Sequence, residues 1–467
     1  MLREHSTLRA LLKKCVVSSG LVAVPVLVAG LFAAGSASWA ASSDPALKLL
    51  NSLPVPVAAG NTTGGMYSFD ISFIDQATGV YYLADRSNKA VDVVSAESIV
   101  TQIIPNNGHA PFAGVSPPAF ATATAGPNGV VAAFPWLFVT DAPSRVLSFN
   151  LSVAPPQTVS ECTTKAGEPT RADELAYDPQ DGLILAINNA ATPPFGTLIT
   201  VNKATGALTC GMNIPFTLAN GVDAQNGAEQ PVWDPKTKKF YVSIPQIGAN
   251  PTVGGIISVT TTGTVSILST FTFCSPAGLA LNPSKQELLA NCNTIWAANG
   301  SLWTGHADQN TDTAAPQLVI LDAKTGTVLA NVLGAGVGDE AWFNAGDHHY
   351  YVASSGSNLA PNALVPGRPP LGTATSAPVN DSQGAATLDV IDALSRSLDQ
   401  RVPTLNTPAV PATSGNVNAP LPAGTAHSVA AFEGTNHVFV PIPANNAVPF
   451  CLTGCVTIYG RDDSDSD

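Results

Sequence analysis

A unit of about 40 residues returns along nearly the whole of this chain, and no other feature restricts its fold so much. The clearest copy runs from Phe69 to Ile104. Phe69-Asp70-Ile71-Ser72-Phe73 alternates like a strand, and Gln76-Ala77-Thr78-Gly79 reads as a turn. Val80 to Asp85 is a second strand, Val91 to Val94 a third and Ile99 to Ile104 a fourth, with Arg86-Ser87-Asn88-Lys89 as the loop between the second and third. Four short strands joined by tight turns make one blade of a β-propeller.

The unit comes back over Leu175 to Gly206, Val232 to Gly263, Leu279 to Gly326, Trp342 to Asp392 and Val429 to Tyr459, with a looser copy from Ala113 to Val159. That predicts seven blades. Asp178-Pro179, Asp234-Pro235 and Asn282-Pro283, like the Thr-Gly endings at Gly206 and Gly326, are reversals in which a side chain bonds the backbone or a residue accepts φ > 0. The last copy stops after its third strand, at Tyr459, while Ala46 to Leu53 offers a strand pattern with no partner of its own. Pairing the two predicts an all-β fold: a seven-bladed β-propeller of four-stranded antiparallel blades, closed by an N-terminal strand that completes the last blade.

The first 40 residues read differently. Arg3, Arg9, Lys13 and Lys14 precede an apolar stretch from Cys15 to Ala34 and a small-residue run ending Ser38-Trp39-Ala40, the layout of a secretory signal. The expected organisation is therefore a signal peptide over 1–40, a propeller over 41–460 and a disordered acidic tail over 461–467, exported to the periplasm or the medium. An uncleaved anchor is the alternative reading of the first segment. Removing four of the 20 basic and one of the 33 acidic residues leaves 16 Lys+Arg against 32 Asp+Glu. So acidic a surface repels phosphate backbones and anionic lipid, which argues against nucleic acid or membrane insertion as partners. Six cysteines remain: Cys162, Cys210, Cys274, Cys292, Cys451 and Cys455. In an exported chain that even count reads as disulfides, and their places on the blades suggest Cys162–Cys210, Cys274–Cys292 and Cys451–Cys455. Unpaired buried thiols are the alternative.

The blade copies, above all Tyr81 to Val94 and Leu318 to Gly326, resemble the NHL/YVTN class of bacterial propellers across nearly all of the mature chain. That resemblance implies the fold and leaves the task open, because the class hosts binders, structural proteins and a few enzymes. A weaker resemblance is to gluconolactonase-like propellers, which hold a divalent cation in the central channel and open lactone rings. It implies Glu174 or Glu340 as the carboxylate ligand, Asn188 or Asn291 as amides and Asp70 as the Asp, although that family's surrounding motifs are not visible.

Aligned blade by blade, Asp70, Glu174, Gln230, Gly278 and Glu340 fall at equivalent starts of the innermost strand, with Asp173, Glu229 and Asp339 beside them and His109 and His427 on the same face. Converging Asp70, Glu174 and Glu340 could hold Ca²⁺ or another divalent cation through oxygen ligands. A solvated acidic funnel is the blander alternative. The long loops after second strands, around 246–254, 293–316, 354–386 and 444–454, share that rim and mark it as a binding face. His109, Gln230, His427, Trp303 and Arg86 are its candidate ligand-binding residues, Arg86 being better suited to a salt bridge with Asp70 or Asp85. Catalytic signatures such as G-x-S-x-G, H-E-x-x-H and the phosphate-binding loop are missing from the sequence. Two readings follow: a monomeric, non-enzymatic scaffold for an unknown protein, glycan or small ligand, or a metal-dependent lactonase-type hydrolase.

Overall fold

The structure is a computed structural model that describes residues 45–95, 98–115, 121–295, 317–333, 335, 337–356, 387–404, 427–445 and 448–461. The ring belongs to the compact unit Ser43–Asp467. The expected signal segment, Trp303 and most of the insertions at 296–316 and 357–386 lie outside the described residues, as does the tail beyond Arg461.

The N-terminal strand β1 (Lys48–Pro54) precedes the blades. Blade one is β2 (Ser72–Asp75), β3 (Val80–Asp85), β4 (Ala90–Val94) and β5 (Val100–Ile103). Blade two is β6 (Val130–Ala133), β7 (Trp136–Asp141), β8 (Arg145–Asn150) and β9 (Gln157–Thr163). Blade three is β10 (Leu175–Asp178), β11 (Leu183–Asn188), β12 (Phe195–Val201) and β13 (Leu208–Pro215). Blade four is β14 (Pro231–Asp234), β15 (Lys239–Ile244), β16 (Val253–Thr260) and β17 (Val265–Thr272). Blade five is β18 (Cys274–Asn282), β19 (Glu287–Ile295), β20 (Gln317–Asp322) and β21 (Val328–Leu333). Blade six is β22 (Val337–Asn344), β23 (His349–Gly356), β24 (Thr387–Asp392) and β25 (Ser397–Pro403). Blade seven is β26 (Ala430–Phe432), β27 (His437–Ile442) and β28 (Cys455–Gly460), completed by β1. Each is an antiparallel meander, and a single parallel bridge, Val253 to Cys274, joins blades four and five.

The expected closure is present. β1 runs antiparallel to β28 from Lys48 opposite Gly460 to Pro54 opposite Cys455. The core is divided accordingly. Every junction between successive blades has its own apolar layer, from Leu137, Val139 and Val91 between blades one and two to Ala430, Val456, Tyr81 and Leu83 between blades seven and one. β-branched and aromatic residues at alternate strand positions supply these layers, since alternate side chains point to opposite neighbours.

The first turn of the blade repeats one device. The Asp or Asn ending the inner strand accepts a backbone N–H two residues on: Ala77 to Asp75 at 3.0 Å, Gln180 to Asp178 at 2.9 Å, Lys236 to Asp234 at 3.0 Å, Ser284 to Asn282 at 3.1 Å and Gly346 to Asn344 at 3.2 Å. The residue before the second strand then takes a left-handed conformation, Gly79 at φ +69° and Gly182 at φ +68° among them. The cysteines pair as their blade positions suggested: Cys162–Cys210, Cys274–Cys292 and Cys451–Cys455.

Candidate functional site

Backbone hydrogen bonds fix which inner-strand residues share a level around the channel. Asp70, Asn128, Asp173 and Glu229 each donate an N–H to the second strand, at 2.9, 3.0, 2.7 and 2.9 Å. The next residues, Ile71, Gly129, Glu174 and Gln230, accept an N–H from the same second-strand residues. Cross-strand partners Leu279–Ala290, Ala341–Val352 and Ala430–Phe439 carry the count onward. Glu174, Gln230, Gly278 and Glu340 therefore do share a level, but Asp70 does not belong to it. Asp70 is level with Asp173, Glu229 and Asp339. Counting four residues back from the turn-forming Asp or Asn would have revealed the offset, since it leads from Asp178 to Glu174 and from Asn344 to Glu340, but from Asp75 to Ile71.

The Asp70 level is a lattice of opposite charges. Arg86, 4% exposed, grips an Asp70 carboxylate oxygen, donates from Nε to Asn128 Oδ1 at 2.9 Å and reaches the Phe69 carbonyl at 3.2 Å. Arg171 holds Asp173, with Nε 2.6 Å from Oδ1 and an Nη2 hydrogen bond of 2.7 Å to Oδ2. His427 Nε2 lies 3.1 Å from both Asp70 Oδ1 and Asp339 Oδ2. Burial works against the charged forms here. Arg86 and His427 nevertheless hold the Asp70 carboxyl well below the ordinary carboxylate range. Asp339 and Asp70 likewise outweigh the desolvation of His427 and push it up to about 10. The imidazolium thus bridges blade one to blade six from the start of blade seven.

These contacts revise the expected cation set. Among the described residues, Asp70, Asp339 and His427 bring their ligand atoms within 4.8 Å of one another, rather than Asp70, Glu174 and Glu340. That trio fits a divalent cation poorly. One Asp70 oxygen is already taken by a guanidinium, and His427 would have to surrender a proton that two carboxylates hold. Asn188, one of the amides implied by resemblance, is occupied elsewhere, by Thr164, Ser144 and the Arg171 carbonyl.

One level down, long side chains stitch the inner strands together. From blade six, Glu340 Oε2 accepts the N–H groups of Ser72 (3.3 Å, blade one) and Val429 (3.0 Å, blade seven), with the Ser72 and Ser428 hydroxyls alongside. From blade four, Gln230 Oε1 accepts from Leu279 (2.6 Å, blade five) and Ala341 (3.1 Å, blade six). Gln230 is thus a structural stitch. At Gly129 and Gly278 a side chain is excluded, because a Cβ would come within 2.5 Å of the Asp173 carbonyl oxygen and 3.0 Å of the Ala341 nitrogen. Glu174, 4% exposed, is the exception among the long side chains. The inner-strand residue beside it in blade four is Pro231, which has no N–H to give, and Glu174 Oε2 is buried without a hydrogen-bond partner. Burial, reinforced by Asp339, Asp173, Glu229 and Asp70, raises its pKa well above the ordinary value.

His109 does not reach the channel. Its Nδ1 lies 3.0 Å from Glu161 Oε2 on β9, the outermost strand of blade two. The connection before it is tied to that same strand, since Asn106 N–H donates to Thr158 Oγ1 at 2.9 Å. Two concavities among the described residues bear on the site. On the rim where inner strands begin, a groove of about 640 Å³ between blades three and four is lined by Asn189–Pro194, Thr217, Asp223–Gly227 and Glu229. Within the channel, a cavity of about 460 Å³ runs from Glu174, Gln230 and Glu340 to Pro179, Pro235 and Pro283 at the opposite rim. Neither was visible in the sequence, since each is built from residues far apart along the chain.

No protein-family model and no curated protein sequence matches the chain. Solved structures do. A chain of the mitotic checkpoint complex crystal structure superposes with a TM-score of 0.53 at 10% identity, over 97% of this chain and 99% of that one. The Dos1 propeller superposes with a TM-score of 0.47 at 12% identity, over 87% and 95%. At 10% identity the first likeness is one of fold alone, and the ring of four-stranded sheets described above is a β-propeller.

Proposed function

We propose that this chain is an exported, non-enzymatic propeller that binds a neutral glycan segment in the rim groove between blades three and four. One observation carries the reading. Asn189 Oδ1 is buried in the groove wall without a partner, while its Nδ2 donates to Glu229 Oε2 at 3.4 Å. An unspent acceptor beside an amide and a carboxyl suits a sugar hydroxyl, which both donates and accepts. Burial first, then Asp339 and Asp173, pushes Glu229 up to about 8, so this carboxyl is largely protonated at physiological pH. Gln225, Asn226 and Thr217 add polar lining, and the concave shape suits a small polar ligand better than a flat protein surface. The internally paired Asp70 level supports binding over catalysis, since its charged groups are committed to one another. The Arg/Lys-led N-terminal segment and three cysteine pairs support export.

The test is a glycan array followed by calorimetric titration. A bound glycan should lose at least tenfold in affinity in Asn189→Ala and Glu229→Gln, whose melting stays that of the parent. Binding of proteins but no glycans, or glycan binding unchanged by both variants, would overturn it. A second reading, a metal-dependent hydrolase, is favoured only by the 4.8 Å cluster of Asp70, Asp339 and His427. A stoichiometric divalent ion in the purified protein, lost with His427→Ala, would establish it in place of the first.

A further inference from the structure

The cavity at the other end of the channel has a different character. Its wall is apolar and aromatic: Ile71, Phe73, Val131, Tyr177, Trp233 and Phe343 face it from five blades. Phe73, Tyr177, Trp233 and Phe343 are each partly exposed, so the space keeps aromatic surface uncovered. Three long polar side chains close its inner end. Glu340 and Gln230 spend their oxygens on backbone N–H groups of neighbouring blades. Glu174 does not, because Pro231 denies it the equivalent donor. The cavity therefore ends on a buried carboxyl oxygen without a partner, and the Trp233 Nε1 in its wall is likewise buried without one.

We propose that this cavity is a binding site for a small lipophilic amine, its apolar body against the aromatic wall and its ammonium on Glu174. Three features select a cation over a neutral or anionic head group, and the cavity's size limits its bulk. The unpartnered atom is a carboxyl oxygen, an acceptor once ionised. Burial first, and then the carboxyls of Asp339, Asp173, Glu229 and Asp70, favour the protonated Glu174 of the free protein, so an arriving cation has a proton to replace. Aromatic faces attract ammonium groups, and desolvation strengthens that attraction. A cavity of about 460 Å³ takes a ligand of modest size. On binding, the carboxyl proton leaves to solvent and the ammonium takes its place, so charge is conserved at the site. A carboxylate ligand brings no positive charge to replace the Glu174 proton.

Calorimetric titration of the full chain with phenethylamine, 2-phenylethanol and 3-phenylpropanoate tests this. Phenethylamine should bind one site at least tenfold more tightly than the alcohol, with the acid showing no binding. Repeating the titration in buffers of different ionisation enthalpy should show proton release with the amine alone. Glu174→Gln should erase the preference while leaving the alcohol bound. Should that variant fail to fold, Ala133→Phe, a half-buried residue of the cavity wall, keeps Glu174 intact and should abolish binding of phenethylamine. Equal affinity for the three probes, no binding at millimolar concentration, or binding untouched by the variants would overturn the proposal.

Discussion

Glu340 shows how a single inner-strand side chain can hold three blades. Its Oε2 is the acceptor for two N–H groups whose residues, Ser72 and Val429, are 1% and 0% exposed, and nothing else in reach replaces it. Glu340→Ala strands both donors, each costing about 1–3 kcal/mol. A loss of about 3 kcal/mol is therefore expected, read as a lower urea midpoint at unchanged slope. Burial pushes the carboxyl up to about 8, although the donors around it pull the other way. The unfolded chain releases this proton near 4.5, so between roughly pH 4.5 and 8 the folded state holds a proton that the unfolded state has lost. Stability should fall as pH rises through that window, and Glu340→Gln should flatten the fall. An unchanged pH slope would show Glu340 ionised in the fold. Sequence reading found Glu340 and Glu174 but set them level with Asp70, drawn by the acidic residue rather than by the turn count. The Arg86–Asp70 pair was legible because both belong to blade one, whereas the His427 contacts with Asp70 and Asp339 were not, since they join three blades.

Among the elements, the junction between blades two and three is the one covalently tied. Cys162 lies in β9 and Cys210 in β13, so their bond joins the outermost strands of adjacent blades at a sequence separation of 48. Elsewhere those outer strands meet chiefly through the apolar layers nearer the axis. Closing a loop of that length removes unfolded-state entropy worth about 4 kcal/mol at most. Cys162→Ser with Cys210→Ser should therefore lower the denaturant midpoint by more than the corresponding change at Cys451 and Cys455, whose sequence separation is only 4. Equal losses would mean that the loop-entropy account fails here. Blade-level pairing was legible in the sequence because the strand periodicity places Cys162 and Cys210 in consecutive fourth strands. The grooves were not, since Asn189 gains meaning only beside Glu229, 40 residues away.

At the scale of the whole molecule, this ring has no three-stranded blade, because the first described strand, β1, completes the sheet of the last, β28. The repeat made that legible: a last unit short by one strand and a first strand without a partner imply each other. The energetic weight of the clasp follows from where its residues go. Leu53 and Val55 enter the apolar layer shared by blades seven and one, together with Val456, Ile458, Tyr81 and Ile74. β1 thus covers the edge of β28 and also completes the seventh inter-blade layer. A chain lacking residues 45–54 keeps three strands in blade seven, opens β28 as a free edge and uncovers part of that layer, a combination that invites pairing with another chain. Such a chain should melt lower and elute as dimers or larger species. A synthetic peptide of residues 45–55 should restore the parent's elution volume and melting temperature by adding its strand in trans. If the shortened chain stays monomeric and melts like the parent, the ring is held by its inner stitches alone, and Glu340 and Gln230, rather than β1, close the circle.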